Sequence, residues 1–219
     1  MIEELTKIFG SKTKALEILY LMHGLKPVVR QGFYETELEK IRLFCQKNNL
    51  ALETSPYKVV LSERQGYSNK GFKAKIEDPR SGMLFVYISK DPQKAAMADA
   101  FEYKNDTRGL GLILGYPECC VDFFIKNEPV RSKLDNDYIT CTLQNSEGTK
   151  FPYFTNISKR QQDITLLNHF PHSFNCQRSI TMAKKHMQLL AELDPQLAMQ
   201  FAKELKCKVM IHDKYVEFY

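Results

Sequence analysis

Six successive residues, Met83-Leu84-Phe85-Val86-Tyr87-Ile88, are apolar without interruption. Successive side chains of a strand point to opposite faces, so a strand with one wet face alternates apolar and polar, whereas an unbroken run belongs to a strand covered on both faces. The chain must therefore supply layers on both sides of that strand. The runs Leu50–Glu53, Tyr57–Leu61 and Phe72–Ile76 are rich in Val, Tyr and Phe and are punctuated by Ser55-Pro56, Gly66, Gly71 and Pro79-Arg80-Ser81-Gly82. Together the pattern predicts a small antiparallel sheet with Met83–Ser89 at its centre.

Helices are the predicted cover. Leu5, Ile8, Phe9, Leu16, Leu19 and Tyr20 recur at steps of three and four between Ile2 and Gly24, and Gly10-Ser11 divides them into two short helices with Ser11 able to cap the second. Thr36 three residues before Glu39 has capping-box spacing, and Leu38, Ile41, Leu43, Phe44 and Cys45 form the apolar stripe of a helix ending near Asn48-Asn49. Asp91-Pro92 opens another through Phe101, since Asp caps well and Pro suits a first turn. Glu128–Asn156 shows little period and is expected to be a long irregular connection. Ser179–Leu193 and Pro195–Leu205 read as helices, and Val209–Tyr219 as a hairpin turning at His212-Asp213-Lys214. The expected class is α+β: a small antiparallel sheet packed with several helices, closed by C-terminal helices and a hairpin. No linker interrupts the 219 residues, and 43% are apolar, so one domain over 1–219 is expected, with a helical and sheet part to about 105 and a motif-bearing helical part from about 106.

Composition narrows the setting. The opening MIEELTKIFG carries acids and no long apolar run, and no later stretch approaches the roughly 20 apolar residues of a membrane span. A cytoplasmic protein that does not enter the membrane is expected. Six cysteines, irregularly placed, do not form the framework of a small secreted domain, so reduced thiols or metal ligands are expected. The net charge of +5 is spread among alternating acids and bases, and the stretches Lys70–Lys75 and Lys203–Lys208 hold only a few lysines each. That favours a solvated basic surface over a track for nucleic acid.

Two segments carry chemistry. Gly115-Tyr-Pro-Glu-Cys-Cys-Val-Asp-Phe-Phe breaks a helix at Gly115 and starts another at Pro117, placing Cys119 and Cys120 in a first turn, where the helix dipole favours a thiolate. His169-Phe-Pro-His172-Ser-Phe-Asn-Cys176-Gln-Arg-Ser179 gathers two imidazoles and a thiol around Pro171. Imidazole and thiolate at this spacing suit a transition metal, zinc or iron, an iron–sulfur cluster included, with Cys119, Cys120, His169, His172 and Cys176 as ligands. Either segment alone reads more readily as a buried thiol or a hydrogen-bonded core histidine, and only the two together bring the metal reading level with that one. Cys45, Cys141 and Cys207 have no His or Cys at ligand spacing and are expected to stay outside the site. Upstream, Asn156, Arg160 and Asp163 fall at helical steps on one face. Arg160 could clamp a carboxylate or phosphate, and Asp163 could orient a ligating histidine or act as a base. A surface ion pair between the two explains the spacing slightly better.

These two segments resemble the uncharacterised DUF483 family of archaea and bacteria, over perhaps a quarter of the chain. Where the family's pattern more often has cysteine, this sequence has His172, which can still ligate. The resemblance brings no reaction with it and implies only the choice of site. P-loop, GxGxxG, HExxH and GxSxG strings do not occur. The expected function is a cytosolic metal- or thiol-dependent enzyme acting on a small, anionic molecule; the alternative is a metal-stabilised module that binds nucleic acid or protein. A redox pair of Cys119 with Cys120 is disfavoured, because adjacent cysteines close a strained ring.

Overall fold

A computed structural model describes residues 1–61, 71–131, 138–211 and 213–219. Two short helices, α1 (Ile2–Phe9) and α2 (Lys12–Met22), lead into strand β1 (Val28–Phe33) and helix α3 (Glu35–Lys47). Strands β2 (Ala51–Leu61), β3 (Gly71–Ala74) and β4 (Met83–Ser89) follow, then helices α4 (Pro92–Tyr103), α5 (Thr107–Ile113), α6 (Glu118–Arg131) and α7 (Tyr138–Gln144). After the short strand β5 (Lys150–Phe151) the chain ends with α8 (Gln177–Leu193), α9 (Pro195–Leu205), β6 (Lys208–Ile211) and β7 (Lys214–Phe218). This is a mixed α+β fold, as expected.

The first sheet runs β1-β4-β2-β3, and its three pairings are antiparallel. The apolar run is indeed covered on both faces. Leu84, Val86 and Ile88 join the main core with Val29, Phe33, Ile41 and residues of α1 and α2. Tyr87 points the other way, into a smaller cluster with Val28, Ala98 and Leu114. Arg30 of β1 and Glu102 of α4 form an ion pair over that second face, and the Tyr87 hydroxyl donates to the same carboxylate at 2.8 Å.

Four sequence expectations need correction. Strand β1 went unread because Arg30, Gln31 and Gly32 break its apolar pattern, although the central strand needs a partner on that side. The segments Leu50–Glu53 and Tyr57–Leu61 form one strand with a register shift between Thr54 and Lys58. Pro56 has no N–H for the ladder, and the Ser55 hydroxyl takes over, accepting from the Phe85 N–H at 3.0 Å and donating to the Tyr57 carbonyl at 2.6 Å. Helix α3 begins at Glu35, with the Glu37 carboxylate accepting from the Tyr34 N–H at 3.0 Å, and Leu43 is exposed. The stretch from Glu128 to Asn156 holds α7 and β5, the latter pairing parallel to β7 so that the C-terminal hairpin becomes a three-stranded sheet. Gly66, Lys70 and the turn residue His212 lie outside the described residues.

The two ends of the chain meet in one core. Phe9, Leu16 and Leu19 share it with Leu166, Phe174, Leu190, Phe201 and Phe218. No helix among the described residues is long and apolar enough to cross a membrane.

Candidate metal centre

Two helix N-termini converge here. Gly115, at φ 81°, ends α5 in the left-handed region; a Cβ there would come within 2.8 Å of Pro27 Cδ. Gly111 allows α5 to approach α6, since a Cβ on it would meet Val121 at 2.8 Å. Pro117 then opens α6, its carbonyl accepting from the Cys120 and Val121 N–H groups at 2.8 and 3.0 Å. Cys119 and Cys120 thus stand in the first turn. Cys176 is the N-cap residue of α8.

The loop carrying His172 is pinned from α7 and its neighbourhood. Thr142 Oγ1 donates to the Pro171 carbonyl at 2.8 Å, Asn145 Nδ2 to the His172 carbonyl at 2.7 Å, and the Phe174 N–H to Ser146 Oγ at 2.8 Å. The helix that periodicity missed is therefore part of the site's scaffold.

One ligand atom each from Cys119, Cys120, His172 and Cys176 lie within 4.8 Å of one another, close enough to hold a metal ion. The sulfur separations are 4.0 Å for Cys119–Cys120, 3.9 Å for Cys119–Cys176 and 3.7 Å for Cys120–Cys176. Cys120 Sγ is 3.7 Å from His172 Nδ1 and accepts from the His172 backbone N–H at 3.3 Å. Cys120 and Cys176 are buried, and Cys119 is only partly so. The Cys176 thiol is pulled well below its usual range, chiefly by the hydrogen bond from Cys120 and then by the Ser179 hydroxyl and N–H. The Cys120 thiol is pushed up by that same bond and by burial, and Cys119 by burial and the neighbouring Cys176. A cluster that settles its first negative charge on one sulfur and shares it with two more is the donor set a cation would neutralise.

The family model described as a protein of unknown function (DUF483) matches residues 91–206, more than half of the chain. The chain belongs to the DUF483 family. No curated protein and no solved structure matches it. All four donors lie inside the DUF483 span.

His169 lies outside this group of four. Its Nε2 is 2.8 Å from Ser179 Oγ, which is itself 3.4 Å from Cys120 Sγ, so the ring sits behind the sulfurs. Burial, reinforced by Lys26 and Arg160, drives its pKa down to about 3 and keeps the ring neutral. Arg160 and Asp163 do not share a helical face. Arg160 opens a short 3₁₀ turn, and Asp163 follows it in the left-handed region at φ 61°, a conformation Asp tolerates. The Arg160 guanidinium lies 5.0 Å from the Phe170 ring centre and donates to the Asn168 carbonyl at 3.3 Å. The Asp163 carboxylate accepts from the backbone N–H groups of Lys12 and Thr13, at 2.5 and 2.9 Å, and so caps the start of α2. Cys45, Cys141 and Cys207 are not in the group of four; Cys45 lies in the main core, Cys141 in an aromatic cluster with Phe123 and Tyr138, and Cys207 beside Asn156.

Sequence reasoning missed the polar residues behind the donors. Glu17 and Lys26 form an ion pair whose side chains are each 7% exposed. Burial is the largest single influence and opposes both charges, but the attraction within the pair and the hydrogen bonds around it, from Asn168 and Gln31 to Glu17 and between Lys26 and Tyr116, together outweigh it, raising the Lys26 pKa and lowering that of Glu17. Gln31 Nε2 donates to Glu17 Oε2 at 3.2 Å, and Lys26 Nζ lies 4.9 Å from the Tyr116 ring centre. His186 stacks on Tyr20 at 3.8 Å, donates from Nδ1 to the Leu166 carbonyl at 2.8 Å, and is held down to a pKa of about 4, first by burial. One signal was present: Glu17 is the only charge in Ala15-Leu-Glu-Ile-Leu-Tyr-Leu21, every residue of which is buried. Glu17, Tyr20 and Lys26 precede the matched DUF483 span.

Proposed function

We propose that Cys119, Cys120, His172 and Cys176 bind one transition-metal ion, zinc or iron, as a tetrahedral Cys₃His set. Metal–sulfur bonds of about 2.3 Å place the sulfurs of a tetrahedron about 3.8 Å apart, and a metal–nitrogen bond of about 2.0 Å places sulfur and nitrogen about 3.5 Å apart. The observation that carries the reading is the match of that tetrahedron to the three sulfur edges of 3.7–4.0 Å and to the sulfur–nitrogen edge of 3.7 Å between Cys120 and His172, with all four ligand atoms within 4.8 Å of one another. An iron–sulfur cluster distributes its thiolates over separate irons and needs them farther apart, so a mononuclear ion is the better fit.

Four protein ligands leave no open position, which assigns the ion a supporting part. It ties the first turn of α6 to the start of α8 and holds the His169–Ser179 side against the buried Lys26, Glu17 and His186. We place the chemistry there, on a small polar group that a substrate presents to this side, in a metal-dependent enzyme whose ion orders these residues. The buried ionisable groups around His169, which reaches Cys120 through Ser179, support this.

The test is elemental analysis of protein purified without oxygen, joined to Co²⁺ reconstitution. One equivalent of metal and the visible bands of tetrahedral cobalt–thiolate are expected, both lost in Cys176→Ser. A wild-type chain that neither retains nor takes up metal overturns the proposal.

A further inference from the structure

Behind the donors lies a narrow cavity of about 10 Å³, walled by Tyr20, Lys26, Tyr116, His169 and His186 among others. That is room for one molecule of about the size of water. Two of its walls carry deeply buried polar atoms with no protein partner: Tyr20 Oη, in a residue 2% exposed, and His169 Nδ1, in a residue 5% exposed. Buried polar atoms are ordinarily paired, so two beside the same cavity point to something that pairs with both.

Hydrogen-bond direction says what that is. Ser179 Oγ lies 3.4 Å from Cys120 Sγ and 2.8 Å from His169 Nε2. A metal-bound thiolate only accepts, so Ser179 spends its one proton on sulfur and its oxygen accepts the Nε2–H. A neutral imidazole has one N–H, which leaves Nδ1 as a bare acceptor. Burial and the cations Lys26 and Arg160 keep the ring neutral, so Nδ1 does not satisfy itself by taking up a proton. The phenol of Tyr20 stays protonated, because burial pushes its pKa up, and it offers an O–H.

The partner must therefore donate to His169 Nδ1 while accepting from Tyr20 Oη. A carboxylate has nothing to donate and an ammonium nothing to accept with, and a hydrogen phosphate, which does both, is several times larger than the cavity; a small O–H group does both and fits. We propose that this cavity binds one small hydroxyl ligand, water or the hydroxyl of a small molecule, donating to His169 Nδ1 and accepting from Tyr20 Oη. It rests on the metal proposal only in taking Cys120 as a thiolate. Nδ1 here is a binding acceptor and not a base.

The test uses the full chain. Nitrogen-15 NMR assigns the His169 tautomer, and a crystal structure near atomic resolution locates the ligand. Expected are the Nε2–H tautomer and an oxygen within about 3.2 Å of both Nδ1 and Oη. The oxygen should be lost in Tyr20→Phe. A second crystal soaked in methanol, the smallest alcohol, separates the sources: a carbon bonded to the oxygen identifies the hydroxyl of a small molecule, and an oxygen alone identifies water. An Nδ1–H tautomer, or no oxygen between the two atoms, overturns the inference. X-ray absorption on the same crystals separates it from the metal proposal. Oxygen without metal removes the metal site alone, and metal without oxygen removes the hydroxyl site alone.

Discussion

Glu17→Gln isolates the cost of burying charge at the heart of this molecule. Gln keeps the shape of the side chain and its capacity to meet Gln31, but leaves the Lys26 ammonium, 7% exposed, without its counter-charge. Removing one member of a buried pair costs about 3–5 kcal/mol, since the remaining ion has lost the attraction that offset its desolvation. For a domain of this size each kcal/mol moves the melting temperature by about 2–4 °C, so a fall of about 6–20 °C is expected. Lys26→Met should cost a similar amount by stranding the carboxylate. The double variant should recover most of the loss, because neither ion then remains to be buried. Urea unfolding of the four proteins at pH 7, read by circular dichroism, closes the cycle. Single variants within 1 kcal/mol of wild type, or a double variant as unstable as the sum of the singles, would refute the reasoning.

Three further outcomes are expected. His169 and His186 are held neutral to pH about 3 and 4, whereas an unfolded chain protonates them below about 6.5. Their contribution is thus complete above 6.5 and declines as the pH falls; between pH 7 and 5 the two together should remove up to about 4 kcal/mol, and His186→Gln should remove about half of that dependence in denaturant titrations. Asp163→Ala should cost about 1–2 kcal/mol through the uncapped Lys12 and Thr13 N–H groups while metal content measured by elemental analysis stays unchanged; loss of metal would instead tie Asp163 to the ligands. Replacing Cys45, Cys141 or Cys207 by Ala should leave the metal stoichiometry as it is, and a loss in any of them would move the site.

Local signals carried much of the fold. The apolar run at Met83–Ser89 named the central strand because its two-sided burial is written in consecutive residues, and Asp91-Pro92 marked a helix start through a cap whose chemistry is local. Strand β1 and helix α7 were illegible for the opposite reason. Arg30 and Gln31 are polar because they meet Glu102 and Glu17, residues remote in sequence, and Thr140 and Thr142 are buried polar residues, the latter held by the Pro171 carbonyl. The site divides in the same way. Cys119, Cys120, His172 and Cys176 stood out as residue types at ligand spacing, and the structure brings them together. Asp163 could not be placed from spacing, since the helical step that suggested a shared face with Arg160 assumes a helix that a left-handed residue ends. The buried pair Glu17–Lys26 shows in sequence only as a charge inside an apolar helix, and its partner becomes visible only once α2 folds against β1.

The central claim is that one metal ion sits among three sulfurs and one nitrogen. X-ray absorption spectroscopy of the anaerobically purified chain tests it most directly, because the edge identifies the element and the fine structure counts its neighbours. The account predicts a single ion with three sulfur neighbours at about 2.3 Å and one nitrogen at about 2.0 Å. A metal-free protein, a metal–metal distance indicating a cluster, or a shell of oxygen and nitrogen without sulfur would contradict it.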